Sequence, residues 1–185
     1  MTRDDPSAGA AEAGGTVQNI EIKCPLPDRD RIAQRLAEID AEEHWVRTQR
    51  DTFFDVPSGW LKIREENGRT EVISYQRSTV ADAPRPSDYD VVEVESGPLW
   101  QRVLGRVLAL GGVIEKERAL WIYRHTRIHL DRVVGLGDFL ELETVVDGIT
   151  SQAAAAESNH LIEELGLDRA SFIGVPYRDL LRQGS

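Results

Sequence analysis

The sequence predicts an α+β fold in which a sheet wraps a polar interior. Seven segments place charged or polar side chains at every second position, and five of them have apolar residues between these positions. Successive side chains of a strand point to opposite faces, so each segment is typical of a strand with one charged face and one packed face. Other segments have the spacing of amphipathic helices.

The clearest of these segments spans residues 127–143 and is typical of two strands joined by a turn. Charged or polar side chains share one face of each strand: Arg127, His129 and Asp131 on the first, Glu141 and Glu143 on the second. The other face is predicted to contribute to the core through Ile128, Leu130, Phe139, Leu140 and Leu142.

The same alternation recurs in five further segments. Their pairs are Glu21 with Lys23, Lys62 with Arg64, Tyr75 with Arg77, Glu93 with Glu95, and Lys116 with Arg118. One such pair is weak evidence, because an exposed strand face is normally polar. When many strands carry both cations and carboxylates in this way, the pattern favours a charged face that is enclosed by the sheet over one that is exposed to solvent. Clustered Arg and Lys bind phosphate oxygens, and clustered carboxylates hold Mg²⁺ or Mn²⁺.

Helices are predicted between the strands. Pro25 and Pro27 end the first strand, and Asp28 is a suitable N-cap for a helix over residues 29–41. Further helices are predicted over residues 99–110, ending at two glycines, over residues 151–165, and over the short segment 176–181. The proline-containing segment 78–88 is predicted to be a loop at the mouth of the polar interior.

Length and charge limit the domain count and the partners. The chain has 185 residues and a formal net charge of −10, which favours one domain and makes nucleic acid or an anionic membrane an unexpected partner. We expect a disordered tail over residues 1–16, a domain over 17–182 and a short tail over 183–185. No signal peptide or apolar span is evident, so a cytoplasmic location is expected.

Residues outside the charged set receive packing roles. The single cysteine, Cys24, follows the inward Lys23, so alternation places it outward as a small buried hydrophobe. The four tryptophans are also interpreted as packing residues: Trp45, Trp60, Trp100 and Trp121.

Several of these motifs together resemble the CYTH superfamily. They are Glu21-Ile-Lys23, Asp51-Thr-Phe-Phe-Asp55, Leu61-Lys-Ile-Arg64, Ser87-Asp-Tyr89, and His129-Leu-Asp131 followed by Glu141-Leu-Glu143. The likeness covers residues 17–182 and is greatest to the class IV adenylyl cyclase-like branch. It implies a triphosphate tunnel fold, which is an eight-stranded antiparallel barrel with helices packed outside. It also implies divalent-metal chemistry on phosphorylated compounds.

The resemblance and the strand pattern together give a candidate site. Metal ligands are expected at Glu21, Asp131, Glu141 and Glu143, with Mg²⁺ or Mn²⁺ as the cofactor. Catalytic roles are expected for Glu21, Glu93 and Asp131. Phosphate contacts are expected from Lys23, Lys62, Arg64, Arg77, Lys116, Arg118, Arg127 and His129.

Some roles stay open at this point. His129 is interpreted as a phosphate ligand, as a proton donor or as a histidine satisfied by a neighbouring carboxylate. The family often has Glu-x-Glu-x-Lys near its N-terminus, and here Asn19 replaces the first Glu, which leaves the number of metal ions open. Gln76 and Arg77 stand where many members have a Lys.

Three functions are compatible with these residues. Of the three, hydrolysis of a triphosphate, a nucleotide or another phosphorylated metabolite is slightly favoured. Conversion of ATP to cyclic AMP and pyrophosphate is the main alternative, and a phosphate-binding module without turnover is the third. The expected partner is a phosphorylated small molecule, and a homodimer is left open.

Overall fold

The structure, a computed structural model, describes residues 17–77 and 85–183. The expected N-terminal tail lies outside the described residues, as do residues 78–84 of the expected loop and the last two residues of the chain.

Eight antiparallel strands form a closed barrel, as the resemblance implies. Around the barrel the order is β1-β5-β4-β3-β2-β6-β7-β8, and β8 pairs with β1 to close the sheet. The strands are β1 (Val17–Pro25), β2 (Glu42–Phe54), β3 (Trp60–Glu66), β4 (Arg69–Arg77), β5 (Arg85–Glu93), β6 (Leu110–Tyr123), β7 (Thr126–Val133) and β8 (Gly137–Val145).

The described residues form four α-helices beside the barrel: α1 (Arg29–Glu38), α2 (Gly97–Leu104), α3 (Ser151–Glu164) and α4 (Tyr177–Gln183). Asp28 caps α1 as predicted, with its side chain accepting a hydrogen bond from the Arg31 amide. The helix ends before residue 41 because Asp40 adopts a left-handed backbone (φ 60°) that turns the chain into β2. Gln183, expected in the C-terminal tail, is the last residue of α4.

The prediction for α2 is wrong at its end. The helix stops at Leu104, and Leu110 already begins β6. Gly112, interpreted as part of the helix stop, lies within β6 at a register shift opposite Phe53 and Phe54. Its φ of 127° suits a glycine at such an irregularity.

Part of the predicted loop is a strand. Residues 85–88 belong to β5, and Pro86 pairs with Ile20 of β1. Proline is tolerated near the beginning of a strand, so it does not exclude pairing here.

The main hydrophobic core lies outside the barrel, beneath α1 and α3. Leu130 and Leu142 from the outer face of the sheet pack there with Leu36 of α1 and Leu161 of α3. Cys24 is buried in this core, where desolvation raises the pKa of its thiol to about 12, in agreement with a packing role. Among the described helices, none combines the length and the apolar character needed to cross a bilayer.

A second apolar cluster lies at one end of the barrel interior, beside α4. Its buried members are Phe53, Ile114, Val133, Phe139 and Tyr177. Phe139 was expected on the outer face, but it is two residues from Glu141 and therefore shares the inner face. Helix α4 thus carries Tyr177 to the floor of the charged interior.

Candidate phosphate and metal site in the barrel

The inner face of the barrel lines a cavity of about 200 Å³. Most of the sequence-predicted site residues line it: Glu21, Lys23, Lys62, Arg64, Lys116, Arg118, Arg127, His129, Glu141 and Glu143. Alternation along five strands brings them together, since each strand contributes residues two positions apart.

Asp131 lies beneath this lining and binds cations. Its carboxylate accepts hydrogen bonds from Lys116 Nζ (2.9 Å), Arg118 Nε and Nη2 (2.6 Å each) and the Tyr177 hydroxyl (3.0 Å). It is fully buried, and burial by itself would raise its pKa, but the charges of Arg118 and Lys116 lower the pKa below the usual aspartate range. Asp131 therefore fixes the side chains of Lys116 and Arg118 in place, and its own oxygens are already engaged.

A second carboxylate does the same between β2 and β3, the strands that follow β6 around the barrel. Asp51 of β2 accepts from Lys62 Nζ (2.8 Å) and from Arg64 Nε (2.8 Å) and Nη2 (3.0 Å). Sequence analysis placed Asp51 in a motif without giving it a role. The available signal was its position two residues before Phe53, which also points inward.

A third set of ion pairs joins β1, β7 and β8. Lys23 Nζ lies 3.2 Å from Glu141 Oε1, and Arg127 Nη2 lies 3.1 Å from Glu143 Oε2. Arg127 also donates to the Tyr89 hydroxyl at 2.7 Å, so Tyr89 reaches the site as its motif suggested. Burial opposes ionisation of Glu143, but nearby cations, including Arg127, lower its pKa to about 2. Both glutamates are thus charged at neutral pH.

His129, Glu141 and Glu143 form a group suited to a metal ion. One ligand atom from each lies within 4.8 Å of the others. His129 Nδ1 is 3.8 Å from Glu141 Oε2 and 3.7 Å from Glu143 Oε1, too far for hydrogen bonds. This nitrogen is buried and has no hydrogen-bond partner among the described residues. An ion with ligand distances of about 2.0–2.2 Å fits between atoms so spaced.

The structure separates Asp131 and Glu93 from this group. Asp131 is held by its three donors below the cavity. Glu93 is exposed at the end of β5, where it pairs with Glu71, and it does not line the cavity. Glu21 lines the cavity and sits opposite Glu143 in the β1–β8 register, next to the metal group. The side chain of Arg77 lies outside the described residues.

Several polar groups in the cavity wall lack partners within the described chain. Most of the buried side-chain atoms with no hydrogen bond belong to cavity residues: Asn19 Oδ1, Trp45 Nε1, Gln49 Oε1, Arg127 Nε and His129 Nδ1. Buried polar groups are normally bonded. Their concentration here is typical of a wall that a polar ligand completes. Trp45 was interpreted as a packing residue and instead lines this cavity.

Comparison with known proteins identifies the family. The CYTH domain matches residues 18–177. The chain belongs to the CYTH family. The comparison with curated proteins gives no significant match.

Several solved structures share this CYTH fold at low sequence identity. The PH1012 protein of Pyrococcus horikoshii is 20% identical, with a TM-score of 0.78 over 88% of this chain and 99% of that one. A candidate adenylate cyclase of Vibrio parahaemolyticus is 20% identical, with a TM-score of 0.74 over 91% and 99%.

A third neighbour is a candidate adenylyl cyclase of Hippeastrum described as having a dominant triphosphatase activity. It is 17% identical, with a TM-score of 0.62 over 90% of this chain and 96% of that one.

Asp131→Asn should destabilise the protein strongly, because it leaves the buried charges of Lys116 and Arg118 without their counterion. Removing one partner of a buried pair costs roughly 3–5 kcal/mol of unfolding free energy. Chemical denaturation at pH 7 measures the change. Asp138→Asn is the matched control, because its bridge to Arg132 joins β7 to β8 at the protein surface and should matter little. Equal effects of the two substitutions would contradict this role.

Lys62 should take up a proton when a phosphate ligand binds. Burial and the charge of Arg64 lower its pKa to about 7, so the amine is mostly neutral at pH 8. Phosphate charge beside it raises that pKa. Calorimetry in buffers of different ionisation enthalpy measures the number of protons taken up. The ligand is a non-hydrolysable, methylene-bridged ATP analogue with Mg²⁺.

Lys62→Arg is the reference for that measurement, because arginine stays protonated throughout. The variant should take up fewer protons than the wild type, by up to about one per ligand. The same uptake in both proteins would show that Lys62 does not titrate on binding.

Proposed function

We propose that this CYTH protein is a divalent-metal-dependent phosphohydrolase. Its substrate is a triphosphate, a nucleotide or another phosphorylated metabolite bound inside the barrel. The observation that carries the proposal is the position of the His129–Glu141–Glu143 group beside Lys23, Arg118 and Arg127. A cation site and a set of phosphate ligands share one enclosed wall.

The metal set proposed here differs from the one expected from sequence. Glu141 and Glu143 remain, His129 joins them, and Glu21 stands beside them. Asp131 is left out, because Lys116, Arg118 and Tyr177 already occupy its oxygens. When bound, Mg²⁺ or Mn²⁺ would supply Lewis-acid stabilisation of phosphate oxygens.

The chain's own cations do most of the remaining work. Lys116 and Arg118, oriented by Asp131, and Lys62 and Arg64, oriented by Asp51, are fixed before a ligand arrives. Groups held in place in this way, with Lys62 protonated as phosphate binds, stabilise the negative charge of phosphoryl transfer without reorganising during the reaction. Glu21 is the carboxylate in the lining that we propose to orient the attacking water.

We also propose that the protein acts in the cytoplasm on a small-molecule partner. The net charge of −10 opposes binding to nucleic acid or anionic lipid. The cations that would bind phosphate are enclosed in the barrel and are offset there by carboxylates.

Glu141→Gln should reduce the rate of turnover by at least about a hundredfold, because it removes a metal ligand and a partner of Lys23. Phosphorus NMR identifies the products. The substrates tested are ATP, GTP, thiamine triphosphate, tripolyphosphate and phosphomonoesters, each with Mg²⁺ or Mn²⁺. Glu115→Gln on the outer face of β6 is the control and should retain activity.

Each outcome of that screen has a distinct meaning. Orthophosphate and a shortened chain, lost only in Glu141→Gln, support hydrolysis. Cyclic AMP with pyrophosphate would replace hydrolysis by the cyclase reaction. Thermal stabilisation by a substrate without any product would make the protein a binding module.

His129→Gln should weaken Mn²⁺ binding on the order of tenfold or more, because it removes one of the three proposed metal ligands. Binding is measured by the electron paramagnetic resonance of free Mn²⁺ during titration. His125→Gln is the control, since His125 is exposed beside the same strand and pairs with Glu157. Unchanged Mn²⁺ affinity in His129→Gln would remove this residue from the metal set.

A further inference from the structure

Helix α2 lies on the barrel with its apolar side turned toward solvent. Among the described residues, eight large apolar side chains are exposed, and four of them belong to this helix and the turn after it: Leu99, Trp100, Val103 and Val107. We call these four residues the α2 patch. Trp100, interpreted from sequence as a packing residue, is 39% exposed. Monomeric proteins usually expose such residues singly, and a contiguous group of them marks an interaction site.

Helical spacing places the α2 patch on one face. The helical hydrogen bonds continue past the end of α2, since the Leu108 amide donates to the Leu104 carbonyl. At about 100° per residue, Leu99, Val103 and Val107 align along the helix, with Trp100 beside them. The patch is therefore a single apolar stripe.

The far side of the helix attaches it to the barrel. Gly97 lies so close to the sheet that a Cβ atom there would be 2.6 Å from the Thr70 hydroxyl oxygen. One turn later, Gln101 donates to the Glu65 carboxylate at 3.0 Å. Leu104 is half-buried on the same side. Because these contacts fix the orientation of the helix, the α2 patch cannot be buried by rotation of the helix about its axis.

Charges of opposite sign stand at the two ends of α2. Glu95 precedes the N-cap Ser96, and Arg106 follows the last helical residue. Both side chains are exposed, and neither has an ion-pair partner in the part of the chain that the structure describes. The length of helix between them, roughly 16 Å at 1.5 Å per residue, prevents them from pairing within one chain.

A second copy of the chain matches both the apolar stripe and the charges. When two α2 helices pack antiparallel about a two-fold axis at the helix midpoint, Trp100 of one copy meets Trp100 of the other. The same axis places Glu95 of each copy opposite Arg106 of the other. Such an interface is complementary in charge to itself, and it removes the α2 patch from water.

Other occupants match fewer of these features. The helix has only eight residues, and the net charge of −10 opposes contact with an anionic membrane. An unrelated protein would explain the apolar stripe, but it would not require opposite charges at positions that a two-fold axis brings together.

We propose that the α2 patch is the interface of a homodimer. In this dimer α2 packs antiparallel against α2 of the second copy, with Trp100 at the centre and a Glu95–Arg106 ion pair at each end. The inference concerns a surface outside the barrel and does not depend on the reaction inside it.

The first test is sedimentation velocity of the full chain over about a hundredfold range of concentration, which gives the dissociation constant of the dimer. Trp100→Glu should raise that constant about thirtyfold or more, because a tryptophan at the centre of an interface carries much of the binding energy. Val134→Glu is the matched control: Val134 is 66% exposed and lies outside the α2 patch, so the constant should not change. Far-UV circular dichroism checks that both variants are folded.

A charge exchange tests the antiparallel arrangement itself. Arg106→Glu and Glu95→Arg should each weaken the dimer about tenfold, because each places like charges together at both ends of the interface. The variant with both substitutions restores the opposite pairs, so its dissociation constant should return to within about threefold of the wild type. This recovery does not depend on Trp100→Glu.

Several results would overturn the inference. They are a monomer at every concentration, a dimer that Trp100→Glu does not weaken, and a doubly substituted variant that dimerises as poorly as the single ones. Flotation with phosphatidylserine vesicles covers the membrane alternative. Binding of the wild type to these vesicles, lost in Trp100→Glu and without a dimer in solution, would assign the α2 patch to a lipid surface instead.

Discussion

The pairing of buried charge is the interaction on which the rest of this structure depends. A closed barrel that places cations inside must also place anions there, because an unpaired buried charge is strongly destabilising. Asp51 and Asp131 fulfil this requirement from β2 and β7, the two strands that flank β6. Each accepts from a Lys and an Arg two residues apart on a neighbouring strand, so the alternation of the strand also sets the geometry of the ion pairs.

The carboxylates have two separate duties as a result. Asp51 and Asp131 are saturated by their donors and act on a ligand only by orienting cations. Glu141 and Glu143 pair with Lys23 and Arg127 across the cavity wall. They lie beside His129 Nδ1, which has no hydrogen-bond partner in the described part of the chain. In the proposed function, a metal ion held by these glutamates would offset their charge and release Lys23 and Arg127 toward phosphate. Binding of the metal and of the phosphate chain would then reinforce each other.

Helix α4 links the end of the chain to this charged interior. Tyr177 donates to Asp131 and closes the apolar cluster with Phe53 and Phe139. Lys23 reaches Val175, just before this helix, through a hydrogen bond from its ammonium group at 3.2 Å. The floor of the site is thus made from the C-terminal segment, and the walls are made from the strands.

Much of the site could be predicted from local spacing, and the failures have physical reasons. Alternation identified Lys62 with Arg64, Lys116 with Arg118, and Glu141 with Glu143, because residues two apart share a face whatever the strand's partner. Alternation cannot tell where a strand leaves the enclosed region, and for that reason Glu93 was assigned to a site whose lining does not include it.

Other features depend on register between strands that are distant in sequence. The approach of His129 to Glu141 arises from their pairing between β7 and β8, and Glu21 reaches Glu143 through β1. Asp51 has no charged residue two positions away in β2, so the alternation of charge did not identify it, and only the inward Phe53 marked its face.

The central claim is that the barrel interior holds a metal ion among His129, Glu141 and Glu143 next to bound phosphate. Anomalous diffraction at the manganese edge tests this metal position directly. The crystals are grown with Mn²⁺ and a non-hydrolysable, methylene-bridged ATP analogue. The account predicts one strong peak within bonding distance of those three side chains, with phosphate density reaching Lys116 and Arg118. A peak only on the outer surface, or analogue density outside the barrel, would contradict it.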